Sequence, residues 1–449
     1  MSRESESQRV KESEVRKMGS YEVKNREPLI FSTSQPLKFS LLLLTAFCLL
    51  PTVSLAAEFH GFLQGNYSYR TSDTHCEGAA PCDKYWLLIE ERAQISPSYE
   101  DPSGIFTAKA KLDFFHDAAV DGDFDMTVRE AYFTLQGGSS DAKIGRQIIT
   151  WGLGDLVFIN DVFPKDWTAF ITGRPVEYLK KGVDGAKIGA YSDAVNGEVV
   201  IIPSFESDTI PDSKRLIYYP FPAPAVNETR EPDTQLSNTE AALKLYRSIR
   251  EWDTAVYFYN GFYRSPAAHM DSLTSVTYYY PKLKVYGASM QGAALGGVLS
   301  LETGYYDSQD RKGSDPEIEN SQIRYLAGFQ KAFAGDFTAS IQYYVERMMN
   351  YEEYTRTLDS SFPRKDRTRE LYSIRLTQLL HYQTIRLSLF TFYSPTDKDY
   401  FVNPEIKYNI TDNLWTNLGA NLFGGEQSST FLGQFRYDDN VYWNIRYEF

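Results

Sequence analysis

Apolar and polar residues alternate strictly along the last nine residues of the chain. Val441, Trp443, Ile445, Tyr447 and Phe449 share one side of an extended backbone, and a tyrosine with polar and charged side chains shares the other. This period of two predicts a β-strand with one oily face. The face is rich in aromatic rings and the strand ends on one, which is typical of a strand whose oily face meets lipid.

The same alternation recurs from residue 58 onward and predicts an all-β fold, a single transmembrane antiparallel β-barrel of about 18 strands, each of the length a tilted membrane strand requires. Sixteen strands remain an alternative. The predicted strands are 58–71, 85–98, 103–116, 126–136, 140–151, 183–192, 196–204, 239–248, 252–263, 278–291, 297–307, 320–332, 336–349, 367–380, 382–394, 400–411, 413–423 and 440–449. Short connections alternate with longer ones, which predicts periplasmic turns at one end and outer loops at the other.

Residues 1–56 are predicted to be a leader that ends in a secretory signal peptide. Lys38 precedes the apolar run 39–50, and small residues lead to a cleavage site after Ala56. The run is shorter than the roughly 20 residues of a membrane helix, so a retained anchor is the weaker alternative. The barrel then occupies residues 57–449.

Two predicted outer loops, 152–182 and 205–238, are long enough to affect function. The first mixes apolar, aromatic and charged residues, which favours a loop folded into the barrel mouth, where it forms the constriction. The second is rich in proline, which predicts an extended, irregular segment. A surface lid without a role in transport is the alternative.

Composition narrows the chemistry. A net charge of −13 excludes a general affinity for nucleic acid. Cys76 and Cys82 are predicted to form a disulfide, since two cysteines this close in an oxidising compartment tend to close a small loop. His75 is the only histidine nearby, and no histidine of the chain lies in a hydrolase or metalloprotease motif. We therefore expect no metal, no cofactor and no catalytic residue.

Successive side chains of a strand point to opposite faces, and on each predicted strand the face with the polar residues is assigned to the lumen. Between 103 and 116, for example, Ala110 and Leu112 face lipid, and Lys109 and Lys111 face inward. By the same rule Leu283 and Val285 face lipid. The bases assigned to the lumen are Arg70, Arg92, Lys109, Lys111, Lys187, Lys244, Lys282, Lys284, Arg324, Arg375, Arg386, Lys407 and Arg446. The acids assigned there are Glu90, Asp113, Glu240, Glu302, Glu346, Glu405 and Glu448.

This excess of bases on the inner wall of an acidic protein predicts a pore that attracts anions. The alternative is that the bases pair with neighbouring acids and only fill the interior. One strand does not follow the rule, because keeping Ile144 toward lipid also points Arg146 at lipid. A β-bulge at Gly145 is predicted to turn Arg146 into the pore.

Two short stretches carry a family resemblance. The stretch 145–152 with the preceding 129–133, and the approach 438–442 to the final strand, resemble the alginate-export-like and related porin-type barrels of the bacterial outer membrane. The resemblance implies an 18-stranded channel whose pore is lined by arginine and lysine and passes anionic solutes or polyuronates.

We therefore predict an outer-membrane channel for the diffusion or export of small anionic solutes or acidic saccharides. Its expected partners are outer-membrane lipid and the permeant, with a periplasmic protein as a further possibility. The alternative function is a barrel sheath for a multihaem cytochrome, whose haems must belong to that partner because this chain has no C-x-x-C-H motif.

The mature protein is predicted to begin at Ala57 or Glu58, because the signal pattern ends there. Mass spectrometry of the outer-membrane fraction should find that N-terminus. Recovery of the full-length chain from the cytosol would contradict the prediction.

A disulfide between Cys76 and Cys82 should protect both thiols from alkylation unless a reductant is added. Labelling of both thiols without reductant would show that the bond is absent.

Overall fold

The computed structural model describes residues 57–72, 85–120, 122–211, 215–217, 226–272, 275–360 and 362–449. The predicted leader and the predicted disulfide lie outside these residues.

Within the described residues, 18 strands form one closed antiparallel sheet in which each strand pairs with the barrel strands before and after it along the chain. The first strand, β1 (Ala57–Arg70), pairs with the last, β21 (Asn440–Glu448), and closes the barrel, so the predicted fold class and strand count are confirmed. The strands of the barrel are β1 (Ala57–Arg70), β2 (Trp86–Glu100), β3 (Phe106–Asp117), β4 (Phe124–Gln136), β5 (Ser140–Gln147), β6 (Val183–Ala190), β7 (Asn196–Ile202), β9 (Glu240–Ile249), β10 (Trp252–Phe262), β13 (Lys282–Ala294), β14 (Gly297–Ser308), β15 (Gln322–Phe333), β16 (Phe337–Met348), β17 (Thr368–Leu380), β18 (Ile385–Ser394), β19 (Asp399–Asn409), β20 (Leu414–Gly425) and β21 (Asn440–Glu448).

A second, small sheet lies in the connections on either side of β9 and β10. Its strands are β8 (Val226–Arg230), β11 (Ala267–Ser272) and β12 (Ser275–Tyr279), and β12 pairs in parallel with β8 and antiparallel with β11. The helices of the described residues are α1 (Trp167–Thr172), α2 (Tyr351–Thr357) and the 3-10 helices η1 (Val176–Leu179), η2 (Leu236–Asn238) and η3 (Gly433–Phe435). None of these helices is long and apolar enough to cross a membrane.

Short turns and long loops alternate around the barrel. The connections 137–139, 250–251 and 295–296 are tight turns, and they lie at the same end as residues 57 and 449. The connections 148–182 and 203–239 are long and lie at the opposite end. We call these the short-turn end and the long-loop end.

The outward face of the barrel is apolar and the inward face is polar. On β21, Trp443 and Tyr447 are 44% and 50% exposed, whereas their neighbour Asn444 on the inward parity is fully buried. Such an apolar outer surface suits a barrel that stands in lipid, because the closed sheet leaves no edge strand unpaired.

Two strands differ by four residues at one end from the sequence prediction, for different reasons. β5 ends at Gln147 rather than 151, since the chain turns inward and buries Trp151 against Phe163 and Tyr257. β13 begins at Lys282 rather than 278, because residues 275–279 form β12 of the small sheet.

Candidate functional site

The connection from β5 to β6, residues 148–182, runs through the interior of the barrel, and we call it the in-folded segment. Ile159, Phe163 and Ile171 of this segment are at most 2% exposed and belong to a core that includes side chains of the barrel wall. The helix α1 begins where the carboxylate of Asp166 accepts a hydrogen bond from the backbone N–H of Ala169, at 3.2 Å. It ends at Gly173, whose φ of 77° is a left-handed value that favours glycine.

One carboxylate of the wall holds the first half of the segment. Glu302 of β14 accepts hydrogen bonds from the backbone N–H groups of Leu153 at 2.8 Å and Gly154 at 3.2 Å. Its other oxygen accepts from the backbone and the side-chain nitrogen of Asn160, both at 2.9 Å. Hydrogen bonds to a charged acceptor contribute about 1.5–3 kcal/mol each, so Glu302 is a strong anchor.

The second half of the segment is held by other strands. Asn421 of β20 and Asn440 of β21 both donate to the carbonyl oxygen of Ile171, at 3.0 and 3.1 Å. Arg174 forms an ion pair of 2.8 Å with Glu90 of β2. Because these strands and β14 lie on different sectors of the wall, the segment crosses the lumen.

The segment divides the lumen into two cavities. The outer cavity, about 680 Å³, lies toward the long-loop end, and the inner cavity, about 590 Å³, lies toward the short-turn end. Leu156 and Phe170 of the segment line both cavities, so they mark the waist between them. Leu156 has a φ of 59°, a strained value for a non-glycine residue, and such strain is often kept at functional positions.

The wall of the inner cavity carries bases beside aromatic rings. Arg375 of β17 lies 4.5 Å from the ring centre of Phe390, and Lys407 of β19 lies 3.9 Å from that of Trp415. Arg375 also forms an ion pair with Asp155 of the in-folded segment. Among the described residues, no carboxylate lies within ion-pair distance of the Lys407 ammonium.

Two other predicted bases of the inner cavity are paired. Arg386 forms an ion pair of 2.9 Å with Glu405, and Arg446 pairs with Glu177 of the in-folded segment. The inner cavity therefore combines paired guanidinium groups with the unpaired ammonium of Lys407.

Four lysines of β3, β5 and β6 form a second basic group on the inner wall. We call Lys109, Lys111, Lys143 and Lys187 the lysine cluster. Lys143 and Lys187 are direct cross-strand partners. Lys111 pairs with Glu130 at 2.8 Å and Lys187 with Glu198 at 3.7 Å, so the cluster carries more positive than negative charge.

Lys143 is the functional candidate that the sequence prediction missed. Ile144 faces outward next to it, so the simple alternation of β5 was sufficient to place Lys143 inward. The bulge assumed at Gly145 obscured that signal. The structure has no register shift there, and β5 pairs continuously with β4 and β6 through Gly145.

Arg146 therefore keeps the outward parity of Ile144, and the predicted bulge is wrong. Gly145 instead has a φ of 125°, and a Cβ atom at this position would collide with the carbonyl oxygen of Ala131. The guanidinium of Arg146 lies near the long-loop end, 3.2 Å from Asp184 and 3.3 Å from Glu206. Burial opposes ionisation of Glu206, but Lys181 and Arg146 outweigh it and lower the pKa of that carboxyl.

Lys282 and Lys284 were assigned to the pore, and the register places them on the outward face. Leu283 and Val285 are the inward residues of β13, and they are 4% and 2% exposed. Val285 pairs across the strands with Tyr259 and Tyr306, which also belong to the internal core. The apolar residues of β13 face inward because the in-folded segment fills this sector of the lumen with apolar side chains.

The remaining predicted bases lie on the inward parity. Arg92 is buried between Glu90 at 2.9 Å and Asp113 at 2.6 Å. Arg324 pairs with Glu346 at 3.4 Å and lines the outer cavity. The other inward bases, Arg70 and Lys244, also lie at inward register positions.

The register adds acids to the inner wall that the sequence prediction did not place there. These are Asp117, Glu130, Glu198 and Asp399. With Lys282 and Lys284 outside, the predicted excess of bases over the whole inner wall shrinks. The positive charge is instead local, at the lysine cluster and at Lys407.

The in-folded segment itself contains a buried ion pair. Lys165 lies 2.9 Å from Asp161, and both side chains are almost fully buried. Burial lowers the pKa of Lys165, and the charge of Asp161 opposes this shift. Across the described part of the chain, no group of histidine, cysteine and acidic side chains is arranged to hold a metal ion.

Comparison with known proteins shows similarity of structure only. No protein-family model matches the chain, and no curated protein matches it. The crystal structure of Pseudomonas aeruginosa OccK2 (OpdF) matches with a TM-score of 0.55 and 9% identity, covering 88% of this chain and 97% of that chain. Acinetobacter baumannii OccAB1 matches with a TM-score of 0.52 and 9% identity, covering 87% and 95%.

A second structure of OccK2 (OpdF), in complex with glucuronate, matches with a TM-score of 0.54 and 9% identity, covering 88% of this chain and 98% of that chain. At these identities the likeness shows the fold. The chain therefore has the fold of an 18-stranded outer-membrane porin.

Replacing Glu302 by Ala should release the first half of the in-folded segment, because four hydrogen-bond donors lose their acceptor. We expect a larger and noisier single-channel conductance in planar bilayers, with heat-modifiable migration of the barrel retained. Ser300→Ala, two residues away on the same inward parity, should leave the conductance unchanged. Equal conductance of Glu302→Ala and the wild type would show that other contacts suffice to hold the segment.

Proposed function

We propose that this protein is an outer-membrane channel through which small organic anions diffuse. The observation that carries the proposal is the lysine cluster, because it places unpaired positive charge on the wall of a lumen that the in-folded segment has narrowed. The porin fold and the apolar outer surface support the membrane location. The two cavities that meet at the waist support a path through the barrel.

The pairing of Lys143 with Lys187 favours an electrostatic role over a purely structural one. Like charges directly opposite each other on a sheet destabilise it, and a paired network would place an acid at one of these positions. In a narrow aqueous bore with low-dielectric walls, such a group focuses a positive potential and raises the local concentration of anions. Acidic partners reduce this effect at Lys111 and Lys187, but none of the described carboxylates pairs with Lys143.

The inner cavity indicates which anions fit. Arg375 and Lys407 each lie over an aromatic ring, so the wall offers a cation and a flat apolar surface side by side. A carboxylate attached to a compact ring, as in a sugar acid, can use both. The glucuronate complex of a structural neighbour supports this class of solute, and short acidic saccharides share its chemistry. The cavities, about 680 and 590 Å³, favour small solutes over long polyuronate chains.

The structure does not favour the alternative of a sheath for a cytochrome. A sheath needs an open lumen, and here the in-folded segment crosses the lumen and is anchored on strands of different sectors. A cytochrome would have to displace a segment whose apolar residues are buried in the internal core.

Replacing both Lys143 and Lys187 by Gln should lower the preference of the pore for anions. We expect the permeability ratio of chloride to potassium to fall by roughly twofold or more at low ionic strength, where the Debye length exceeds about 10 Å. Reversal potentials under a salt gradient measure this ratio. The difference between variant and wild type should shrink as added salt screens the wall.

The matched control is the double variant Lys282→Gln with Lys284→Gln, which removes the same charge from the outward face. It should leave the reversal potential unchanged. A wild-type pore that prefers potassium, or a folded barrel that does not conduct, would contradict the proposed function. An equal shift in both double variants would assign the selectivity to total charge rather than to the inner wall.

A further inference from the structure

Three bases face outward near the long-loop end of β13 and β16. Lys282 and Lys284 lie on the parity opposite to the buried Leu283 and Val285. Arg347 of β16 lies on the parity opposite to Glu346, which faces inward against Arg324. We call Lys282, Lys284 and Arg347 the outer basic rim.

A belt of tyrosines lies just below this rim on the same outward face. Its members, on β13 to β17, are Tyr286, Tyr305, Tyr325, Tyr343 and Tyr372. Tyr286 and Tyr305 are cross-strand partners, and the rings of Tyr343 and Tyr372 lie 4.9 Å apart. Tyrosine belts mark the level where hydrocarbon gives way to headgroups.

Along their strands, the rim residues lie two to four residues nearer the loops than the tyrosines of the belt. Lys284 is two residues from Tyr286, and two residues of a strand rise about 7 Å. The ammonium and guanidinium groups are therefore at headgroup depth rather than in hydrocarbon or in bulk water. Because the long loops of such barrels face the exterior, the headgroups at this level belong to the outer leaflet.

The bases of the rim form no ion pair within the part of the chain that the structure describes. Among the described residues, no carboxylate is within ion-pair distance of Lys282, Lys284 or Arg347. Asp307, the cross-strand partner of Lys284, binds Arg311 at 2.7 Å. Glu370, the other nearby acid on this face, interacts with Tyr343.

Two other outward bases at the same end have acidic partners, unlike the bases of the rim. Arg146 lies between Asp184 and Glu206, and Lys398 binds Glu426 at 2.8 Å. A cation kept unpaired at headgroup depth, above an aromatic belt, suits an anionic group supplied by the lipid.

We propose that the outer basic rim binds the phosphate groups of the lipid A portion of outer-leaflet lipopolysaccharide. Phosphates are the anions at this depth, and two lysines on β13 with an arginine on β16 offer several donors to them. The inference rests on the outer-membrane location proposed above. It assigns to Lys282 and Lys284 a role outside the pore.

The test uses the purified, folded barrel in detergent, with bisphosphorylated lipid A as the ligand and native mass spectrometry as the readout. The triple variant Lys282→Gln, Lys284→Gln, Arg347→Gln should bind lipid A about tenfold more weakly or worse, since each base near an anionic surface contributes appreciably. The matched control replaces Lys331 and Arg247 by Gln. Both face outward near the short-turn end, and this variant should bind like the wild type.

Three outcomes separate the possible sources of binding. Weaker binding of dephosphorylated lipid A by the wild type, with no further loss in the triple variant, supports the phosphate assignment. Competition by inorganic phosphate at the same concentration as lipid A would show a simple anion site and overturn the lipid assignment. Equal affinity of wild type and triple variant, or equal loss in the control variant, would also overturn it.

Failure of this inference is distinguishable from failure of the proposed function. The triple variant should keep the wild-type reversal potential, and the Lys143→Gln, Lys187→Gln variant should keep wild-type lipid A binding. If the barrel conducts selectively but binds lipid A independently of the rim, only the proposed lipid site is refuted. If it binds lipid A through the rim but does not conduct, only the proposed channel function is refuted.

Discussion

The carboxylate of Glu302 and the segment it anchors determine how the interior of this barrel is organised. Four hydrogen bonds from Leu153, Gly154 and Asn160 end on this one side chain. Because they hold the in-folded segment against β14, the lumen is divided into an outer and an inner cavity with Leu156 and Phe170 between them. Without the in-folded segment the barrel wall would enclose one wide bore.

The same packing explains why the charge of the inner wall is local. Where the segment contacts the wall, buried side chains such as Ile159 and Val285 form an apolar core, and the nearby charged groups are paired. Where a cavity separates the wall from the segment, as at Lys407, no described carboxylate forms an ion pair with the base, and the same holds for Lys143. The positive charge therefore lies at a few positions of the inner wall rather than along its whole length.

Lysines lie on both faces of the barrel, in different surroundings. Inside, the direct pairing of Lys143 with Lys187 concentrates charge in a narrow aqueous space. Outside, Lys282 and Lys284 lie beyond a tyrosine belt, where lipid headgroups are the available counterions. In our two proposals the same type of side chain therefore serves solute anions on the inner face and lipid phosphates on the outer face.

The sequence by itself determined the strands and their number. Alternation is a local signal with a period of two, and each tilted strand is long enough to show it clearly, so 18 strands and their order were predictable. On β3, β15, β17 and β21 it also predicted the inward parity of residues such as Lys109, Arg324 and Arg446. The lipid that contacts these strands, rather than any distant residue, makes one parity apolar.

In some sectors of the barrel a loop, rather than water, fills the lumen. There, only the tertiary structure decided which face of a strand points inward. On β13 the apolar residues Leu283 and Val285 face the in-folded segment, so the rule that apolar residues face lipid gave the wrong side for Lys282 and Lys284. At Gly145 a positive φ preserved the register where a bulge was expected, and Arg146 was neutralised by Asp184 and Glu206 instead. Both outcomes depend on contacts between residues far apart in the chain, and a local period of two carries no information about them.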